Sequence, residues 1–329
     1  MDARVLATGA RCGPLGMVLG PLAVAGAVAG SAAGMPPDLP LGATWPFGVF
    51  FGLLGLCVGS FLNVCIHRLP AGKGLVWPGS HCPVCLAPIA WYDNLPVLSY
   101  FVLRGRCRRC GSRFSIRYML VEAATGLVFF GYWLAYFRLG VRDGADHLAV
   151  YGVHMVLASA LVASGVIDYE RKEIYTAVTN TALAVGLVAS FVWPQVQRVG
   201  TFDGRLPDWT GWPRADAVLL ALIGAAVGAG IIYVTRALGT LVFRKEAMGI
   251  GDVYLMAAIG GCLGWEAAVL VFFAAPFLGL VYGVWHLARK RGSEVPYGPF
   301  LGMAAGLSML VQHEVVAYFR PGIEAIFFG

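Results

Sequence analysis

Two aspartates stand where apolar stretches meet polar sequence, and their side chains could do chemistry as a pair. Asp252 follows Gly249 and Gly251 at the start of one apolar run, and Asp168 ends another run at 148–167. An ionisable side chain at a membrane boundary is costly, so each indicates a functional site. Two carboxylates at one membrane face would supply the acid and the base of an aspartyl protease. Alternatively, each aspartate caps a helix or meets lipid headgroups.

The glycines beside Asp252 favour the catalytic interpretation. Without side chains, Gly249 and Gly251 let the backbone approach a substrate closely and tolerate positive φ. The alternative is a flexible loop that precedes a helix.

Other titratable residues compete less well for these roles. Glu170 and Glu173 share a loop with basic residues, which is typical of a solvated charged turn. Glu122 could tune a site or form a bond between helices. The histidines show no metal-ligand spacing, and the sequence contains neither an HExxH motif nor a GxSxG motif. Metalloprotease and serine-hydrolase mechanisms are therefore disfavoured.

The composition is that of an integral membrane protein. Of the 329 residues, 58% are hydrophobic and only 13% are charged, whereas soluble domains average roughly 25% charged residues. The mean hydropathy is +0.73. The net charge of +6 describes membrane topology and requires no nucleic-acid partner.

Apolar runs of spanning length predict an all-α polytopic membrane protein with about eight transmembrane helices. A small four-cysteine insert at 67–117 follows the first helix, 44–66, and precedes a membrane body at 118–329. The eight predicted helices are 44–66, 118–137, 148–167, 174–193, 215–236, 252–264, 266–287 and 298–318. Residues 1–43 form an N-terminal extension, in which 13–33 could be a signal-like segment, an extra helix or a weakly ordered stretch.

The distribution of basic residues predicts the orientation. The insert and the segments 168–173, 236–251 and 289–297 hold 16 of the 24 Lys and Arg residues. The positive-inside rule places these four segments in the cytoplasm. Asp168 and Asp252 then lie on the cytoplasmic side, one where a helix leaves the membrane and one where a helix enters it.

Four cysteines in the insert have the spacing of a metal site. Cys82 and Cys85 form one C-x-x-C pair, Cys107 and Cys110 form a second pair, and 21 residues separate the two pairs. Such pairs suit tetrahedral zinc, and an insert of this size cannot bury much core, so a metal would stabilise its fold. A redox pair and unpaired thiols are the alternatives.

The remaining cysteines lie in apolar runs, where they are expected to be small packing residues. His81 adjoins the first pair but is not needed for a complete four-cysteine site. The cysteines outside the insert are Cys12, Cys57, Cys65 and Cys262.

The combined motifs resemble those of the type IV prepilin peptidase family, also called type IV leader peptidases. The resemblance extends over residues 45–315 and is most specific in the insert. Its motifs are Gly59-Ser60-Phe61-Leu62-Asn63-Val64, Arg68-Leu69-Pro70, Trp91-Tyr92-Asp93-Asn94-Leu95-Pro96, Leu103-Arg104-Gly105-Arg106-Cys107, Ser115-Ile116-Arg117-Tyr118, Glu122, Asp168, Gly249-Ile250-Gly251-Asp252 and Val295-Pro296-Tyr297-Gly298-Pro299-Phe300.

The resemblance implies a GxGD-type aspartyl protease of the bacterial inner membrane, with Asp168 and Asp252 as its catalytic acids. Such enzymes remove basic leaders from type IV prepilins and from type II secretion pseudopilins on the cytoplasmic side of the bilayer. Many also N-methylate the new terminus with S-adenosylmethionine. For that cofactor, Asp93 and Asn94 could be contacts, or they could simply form a turn before Pro96.

Three positions depart from the pattern that this family usually shows. No Pro-Asp pair follows Asp168, Tyr254 stands where lysine is common, and Met119 replaces a usual proline. The first two lie beside the candidate acids and would affect local geometry and substrate choice. From another functional class, a noncatalytic zinc-stapled scaffold or an ion-coupled transporter is the alternative to the peptidase.

Overall fold

The computed structural model describes residues 41–141, 147–200, 206–244, 248–288 and 296–327. Within these ranges the regular secondary structure is helical, apart from two isolated β-bridges in the insert. The predicted all-α fold is therefore confirmed. The segment 13–33 and Cys12 lie outside the described residues.

Each of the eight predicted apolar runs falls on a helix, and a short extra helix, α2, lies in the insert. Helix α3 continues as a π-helical turn at Leu134–Arg138, and 3-10 turns occur at Leu69–Ala71, Trp91–Asn94 and Pro194–Gly200. The α-helices are α1 Leu41–Arg68, α2 Leu98–Val102, α3 Ile116–Trp133, α4 His147–Arg171, α5 Thr176–Val192, α6 Pro213–Phe243, α7 Ile250–Leu263, α8 Trp265–Ala288 and α9 Gly298–Phe327.

Six of these helices are long and apolar enough to cross a bilayer, and α5 and α7 are shorter apolar helices. The helix predicted to end at residue 236 is longer than expected, because α6 continues to Phe243. The apolar sequence after Arg236 prolongs the helix. The guanidinium of Arg236 reaches the next segment and donates from Nε to the carbonyl of Met248 at 2.9 Å.

Helix α7 lies at the centre of the body. It packs against α5, α6 and α8, and most of its residues are buried. Its closest contact is with α6, where Gly224 meets Gly260 so closely that a methyl group on either would overlap the other backbone. Small residues allow such close helix packing in membranes, so the short α7 is held within the body along its length.

Helices α1 and α3 form an antiparallel pair next to this body. A methyl group on Gly59 would lie 2.7 Å from the Cα of Glu122, and Asn63 Nδ2 donates to the carbonyl of Tyr118 at 2.9 Å. These contacts fix the relative height of the two helices. The insert therefore leaves the membrane body at the end of α1 and returns to it at the start of α3.

Candidate active site

A cavity of about 710 Å³ opens at the end of the helical body where α4 ends and α7 and α9 begin. Both candidate aspartates line it, although 84 residues separate them in the sequence. The lining residues are Asp168, Lys172, Glu173, Ile174, Tyr175, Thr176, Met248, Gly249, Ile250, Gly251, Asp252, Pro296 and Tyr297.

Asp168 lies in the last turn of α4, where its backbone carbonyl accepts a hydrogen bond from the N–H of Lys172 at 2.8 Å. Its side chain is buried against the start of α9. The backbone N–H of Gly298 donates to Asp168 Oδ2 at 2.8 Å. The Asp168 carboxylate therefore caps the start of α9, as in the alternative that the sequence left open, and it also lines the cavity.

Asp252 lies in the first turn of α7, and only 6% of its surface is exposed. The helix begins after Gly249, whose carbonyl accepts the N–H of Asp252 at 3.3 Å. The carboxyl groups of Asp168 and Asp252 lie near enough to interact electrostatically. Two buried carboxyl groups that face one cavity can share a proton, because like charges close together do not both ionise readily.

The two glycines before Asp252 serve different purposes, and neither adopts positive φ. Gly249 has φ −67°, and Gly251 lies in the first turn of α7. The tolerance of glycine for positive φ is therefore not used at either position. The close approach at Gly251 is to Ile174, since a methyl group there would lie 2.6 Å from the Cβ of Ile174. At Gly249, the nearest atom to such a methyl group is Asp252 Oδ2 at 3.5 Å, an ordinary contact.

Sequence reasoning assigned no role to Tyr297 and Gly298, two neighbouring residues at the start of α9 that lie beside the acids. Gly298 binds Asp168, and Tyr297 lines the cavity beside Asp252. Burial, together with the charge of Asp252, raises the pKa of Tyr297 to about 12, so its phenol remains protonated. The only signal for these residues was their place in the Pro296-to-Phe300 motif, which carries no chemical pattern of its own.

The acids that compete with Asp168 are mostly engaged elsewhere. Glu170 forms an ion pair with Arg117 at the start of α3. Glu122 accepts a hydrogen bond from the N–H of Val97 at 2.8 Å, so it connects α3 to the insert. Glu173 lines the cavity. Of these three glutamates, only Glu173 is placed to meet a ligand in the cavity.

Two of the sequence departures differ in their proximity to the cavity. The segment from Lys172 to Thr176, which replaces the usual Pro-Asp pair, forms part of the cavity wall. Lys172 adopts positive φ there, at 58°. Tyr254 is 42% exposed and is not among the lining residues. Of these two departures, the one at Lys172 to Thr176 changes the cavity wall directly, whereas Tyr254 does not line the cavity.

The four cysteines of the insert converge on one point. Their Sγ atoms all lie within 4.8 Å of one another. The Cys82–Cys110 and Cys85–Cys107 sulfur pairs are 3.8 and 4.0 Å apart. Four thiolates around one tetrahedral zinc, at about 2.3 Å each, would be separated by roughly 3.8 Å. The geometry fits a single four-coordinate metal ion.

The environment of Cys82 favours the thiolate that a metal requires. Hydrogen bonds from the backbone of Cys85 and from the Ser112 hydroxyl lower the pKa of Cys82 to about 6. A hydrogen bond from the backbone of Ala87 lowers the pKa of Cys85, but burial and the neighbouring cysteines together outweigh it and raise that pKa to about 11. His81 lies outside the cluster, and its Nδ1 is 2.9 Å from the carbonyl of Gly79.

The cysteines outside the insert are not all alike. Cys65 and Cys262 are buried, as expected of packing residues. Cys57 is exposed on the surface of α1, so the prediction that it packs inside the protein is wrong. Because α1 is an outer helix of the body, an apolar residue on its surface can face outward.

The segment that contains Asp93 forms a compact unit. Residues Trp91–Asn94 form a 3-10 turn. The Arg108 guanidinium donates to both carboxylate oxygens of Asp93, at 2.6–3.1 Å, and holds its pKa below the usual range. The turn that the sequence allowed before Pro96 is present, and the Asp93 carboxylate pairs with Arg108 in it.

Fold and site together define a multi-pass membrane protein with two buried carboxylates on one cavity and a four-cysteine insert. Two family models match the chain, namely the bacterial peptidase A24 N-terminal domain over residues 53–136 and the type IV leader peptidase family over residues 155–284. The chain belongs to the type IV leader peptidase family. No solved structure matches it significantly.

Curated relatives agree with this assignment. A prepilin leader peptidase/N-methyltransferase of Myxococcus xanthus is 39% identical over 72% of this chain and 62% of its own length, so the chain spans less than two thirds of that protein. One of the same name from Pseudomonas putida is 32% identical over 80% of this chain and 91% of its own. A type 4 prepilin-like proteins leader peptide-processing enzyme of Escherichia coli is 33% identical over 78% of this chain and 91% of its own length.

Proposed function

We propose that this protein is an aspartyl endopeptidase that removes the leader peptides of type IV prepilins or type II secretion pseudopilins. The observation that carries the proposal is the placement of Asp168 and Asp252 on one cavity at the end of the helical body. Family membership and the names of the relatives support the substrate class. A transporter or a noncatalytic scaffold is not favoured, because these relatives are named as enzymes.

In the proposed reaction, the two carboxyl groups share one proton. The ionised member takes a proton from a water molecule as that water attacks the scissile carbonyl. The protonated member stabilises the developing oxyanion and then donates its proton to the leaving amine. The N–H of Gly298 holds Asp168 in place, and the protonated Tyr297 phenol lines the cavity beside Asp252.

We propose further that the cavity faces the cytoplasm and that the protein resides in the bacterial inner membrane. The excess of Lys and Arg on the insert side supports this orientation. A basic leader that remains in the cytoplasm would then meet the cavity, while the apolar segment of the prepilin lies beside the helices in the bilayer. Among the acids considered for steering such a leader, which are Asp93, Glu170 and Glu173, only Glu173 lines the cavity.

The orientation can be tested by labelling with a membrane-impermeant thiol reagent in intact cells. Cysteine replaces the exposed Arg171 beside the cavity in one variant and the exposed Asp208 in the opposite loop in another. Labelling of the unmodified protein gives the background from its native cysteines. We expect the second variant alone to exceed that background. Labelling of position 171 from outside the cell, with none at 208, would overturn the proposed orientation.

The four-cysteine cluster would hold structural zinc, which keeps the two C-x-x-C turns together. A second activity, N-methylation of the new terminus with S-adenosylmethionine, is supported by the names of the relatives. Asp93 does not fit a role as a free contact for that cofactor, because Arg108 engages both of its carboxylate oxygens. We assign no residue of the insert to methyl transfer.

The decisive experiment uses the full chain, purified and reconstituted with a type IV prepilin in liposomes. We expect a shorter product whose mass loss equals the leader, and no product with an Asp252→Asn variant. A Cys57→Ser variant is the matched control, since Cys57 is remote from both the cavity and the metal cluster. Persistence of the intact prepilin with a folded, metal-containing protein would contradict the proposed activity.

A further inference from the structure

Helix α2 of the insert has one covered face and one open apolar face. Ser99, Tyr100 and Leu103 are partly covered by the rest of the insert. Leu98, Phe101 and Val102 are 63–74% exposed, and their i, i+3 and i+4 spacing puts them on one side of the helix. An insert in free solution would gain nothing from such a face, because exposed apolar area is unfavourable in water.

The height of α2 relative to the membrane helices explains this face. The N–H of Val97, directly before α2, donates to Glu122 Oε2 at 2.8 Å. Glu122 lies six residues inside the apolar helix that begins at Ile116. A helical side chain leans toward the N-terminus of its helix, so the Glu122 carboxylate points to the insert side. Val97 is therefore held near the first turns of α3.

The other part of the insert lies much farther from the membrane body. Gly59 packs against Glu122, and Arg68 is nine residues beyond Gly59 on α1, which is about 13 Å farther along the helix axis. The Arg68 guanidinium binds the carbonyls of Gly74 and Leu75. The chain thus leaves α1 well beyond the level of Glu122 and returns toward that level at Val97.

The surface around Glu122 continues the lipid-facing surface of the helices. Phe61 on α1 and Ile116 and Leu120 on α3 are each 53% exposed at this level. The chain that follows α2 is strongly basic, and several of its arginines are exposed. Such an arrangement of apolar face and adjacent cations is typical of a segment that lies in the interface and binds anionic headgroups. The exposed arginines are Arg104, Arg106, Arg108, Arg109 and Arg113, of which Arg108 is paired with Asp93.

We infer that the open face of α2, formed by Leu98, Phe101 and Val102, is immersed in the bilayer interface and docks the insert on anionic phospholipid. The hydrogen bond from Val97 to Glu122 sets its depth. The insert is then a peripheral membrane module and not a freely projecting domain. The inference concerns the membrane contact of the insert and does not depend on peptidase activity.

The test measures lipid contact at single positions in the full chain. A fluorescent amino acid is introduced by nonsense suppression at position 101 or, as the matched control, at the 89% exposed Val76. Each protein is reconstituted in vesicles of phosphatidylethanolamine and phosphatidylglycerol, with or without lipids that carry a nitroxide near the top of the acyl chain. We expect loss of fluorescence at position 101 and little loss at position 76, because an interfacial segment lies about 5–10 Å into the headgroup region.

Two further arms separate the explanations. Glu122→Ala removes the acceptor for Val97 and should reduce the fluorescence loss at 101, whereas Glu122→Gln keeps a carbonyl acceptor and should preserve it. Equal, weak quenching at 101 and 76 would overturn the inference. A second outcome would also overturn the inference: the nitroxide lipids do not quench the probe at position 101, and the probe becomes shielded from solvent only after a prepilin is added. That result would assign the face to a protein partner.

Discussion

The backbone N–H of Gly298, the first residue of α9, donates to Asp168 Oδ2 at 2.8 Å, across 130 residues of sequence. A methyl group on Gly298 would lie 2.8 Å from the same oxygen. Gly298 therefore both binds the carboxylate and leaves the space in which that carboxylate lies. The position of Asp168 depends on the packing of α9 against α4.

Gly298→Ala should impair cleavage more than it impairs folding. The added methyl group must displace the Asp168 carboxylate, and a shift of about 1 Å in a reacting group can cost up to roughly a hundredfold in rate. We expect kcat to fall by about tenfold or more, as measured by prepilin cleavage in liposomes. Gly302→Ala is the control on the same helix, because its nearest neighbour would be 3.6 Å away. Equal effects at both glycines would contradict this role.

Asp168→Asn and Asp252→Asn should each abolish cleavage while the protein keeps its fold. Each aspartate performs one half of the proton transfer, and loss of a general acid or base costs about 10²- to 10⁴-fold. Product formation and thermal unfolding would be measured together. Glu170→Gln is the comparison, since Glu170 pairs with Arg117 and is not a cavity residue. Normal cleavage by Asp168→Asn, with loss in Glu170→Gln, would reverse the assignment of the first acid.

The two glycines of the GxGD motif should respond differently to alanine. Gly251→Ala forces a methyl group into the Cβ of Ile174, so we expect lower thermal stability and lower activity. Gly249→Ala adds only an ordinary contact at 3.5 Å, and its φ of −67° suits alanine. Stability and cleavage should therefore remain close to those of the unmodified protein. A larger loss at Gly249 than at Gly251 would indicate that substrate, and not Ile174, needs the missing side chain.

Metal analysis of the purified protein should find about one zinc ion per chain, bound by the four cysteines of the insert. Replacing Cys82 and Cys110 together with serine should remove the metal and expose residues 69–115 to protease, because the insert has little buried core of its own. Cys65→Ser, outside the cluster, should leave metal content unchanged. Full retention of zinc after both replacements would exclude this site.

The sequence by itself determined the elements that depend on local pattern. Long apolar runs predicted the membrane helices, because a spanning segment must satisfy its backbone within one helix. The paired C-x-x-C turns predicted the metal cluster, since each turn places two thiols on one side. Asp168 and Asp252 were identifiable as charged residues at the edges of apolar runs.

Only the tertiary structure decided which groups surround these acids and how deep the insert lies. The N–H of Gly298 and the phenol of Tyr297 reach the cavity because α9 packs beside α4, a contact that no periodicity in either segment records. The bond between Val97 and Glu122 likewise joins a loop to a membrane helix. A hydrophobic pattern with the helical period shows which face of one segment is apolar. These contacts depend instead on how separate helices pack, which is set by side-chain shape across long sequence distances.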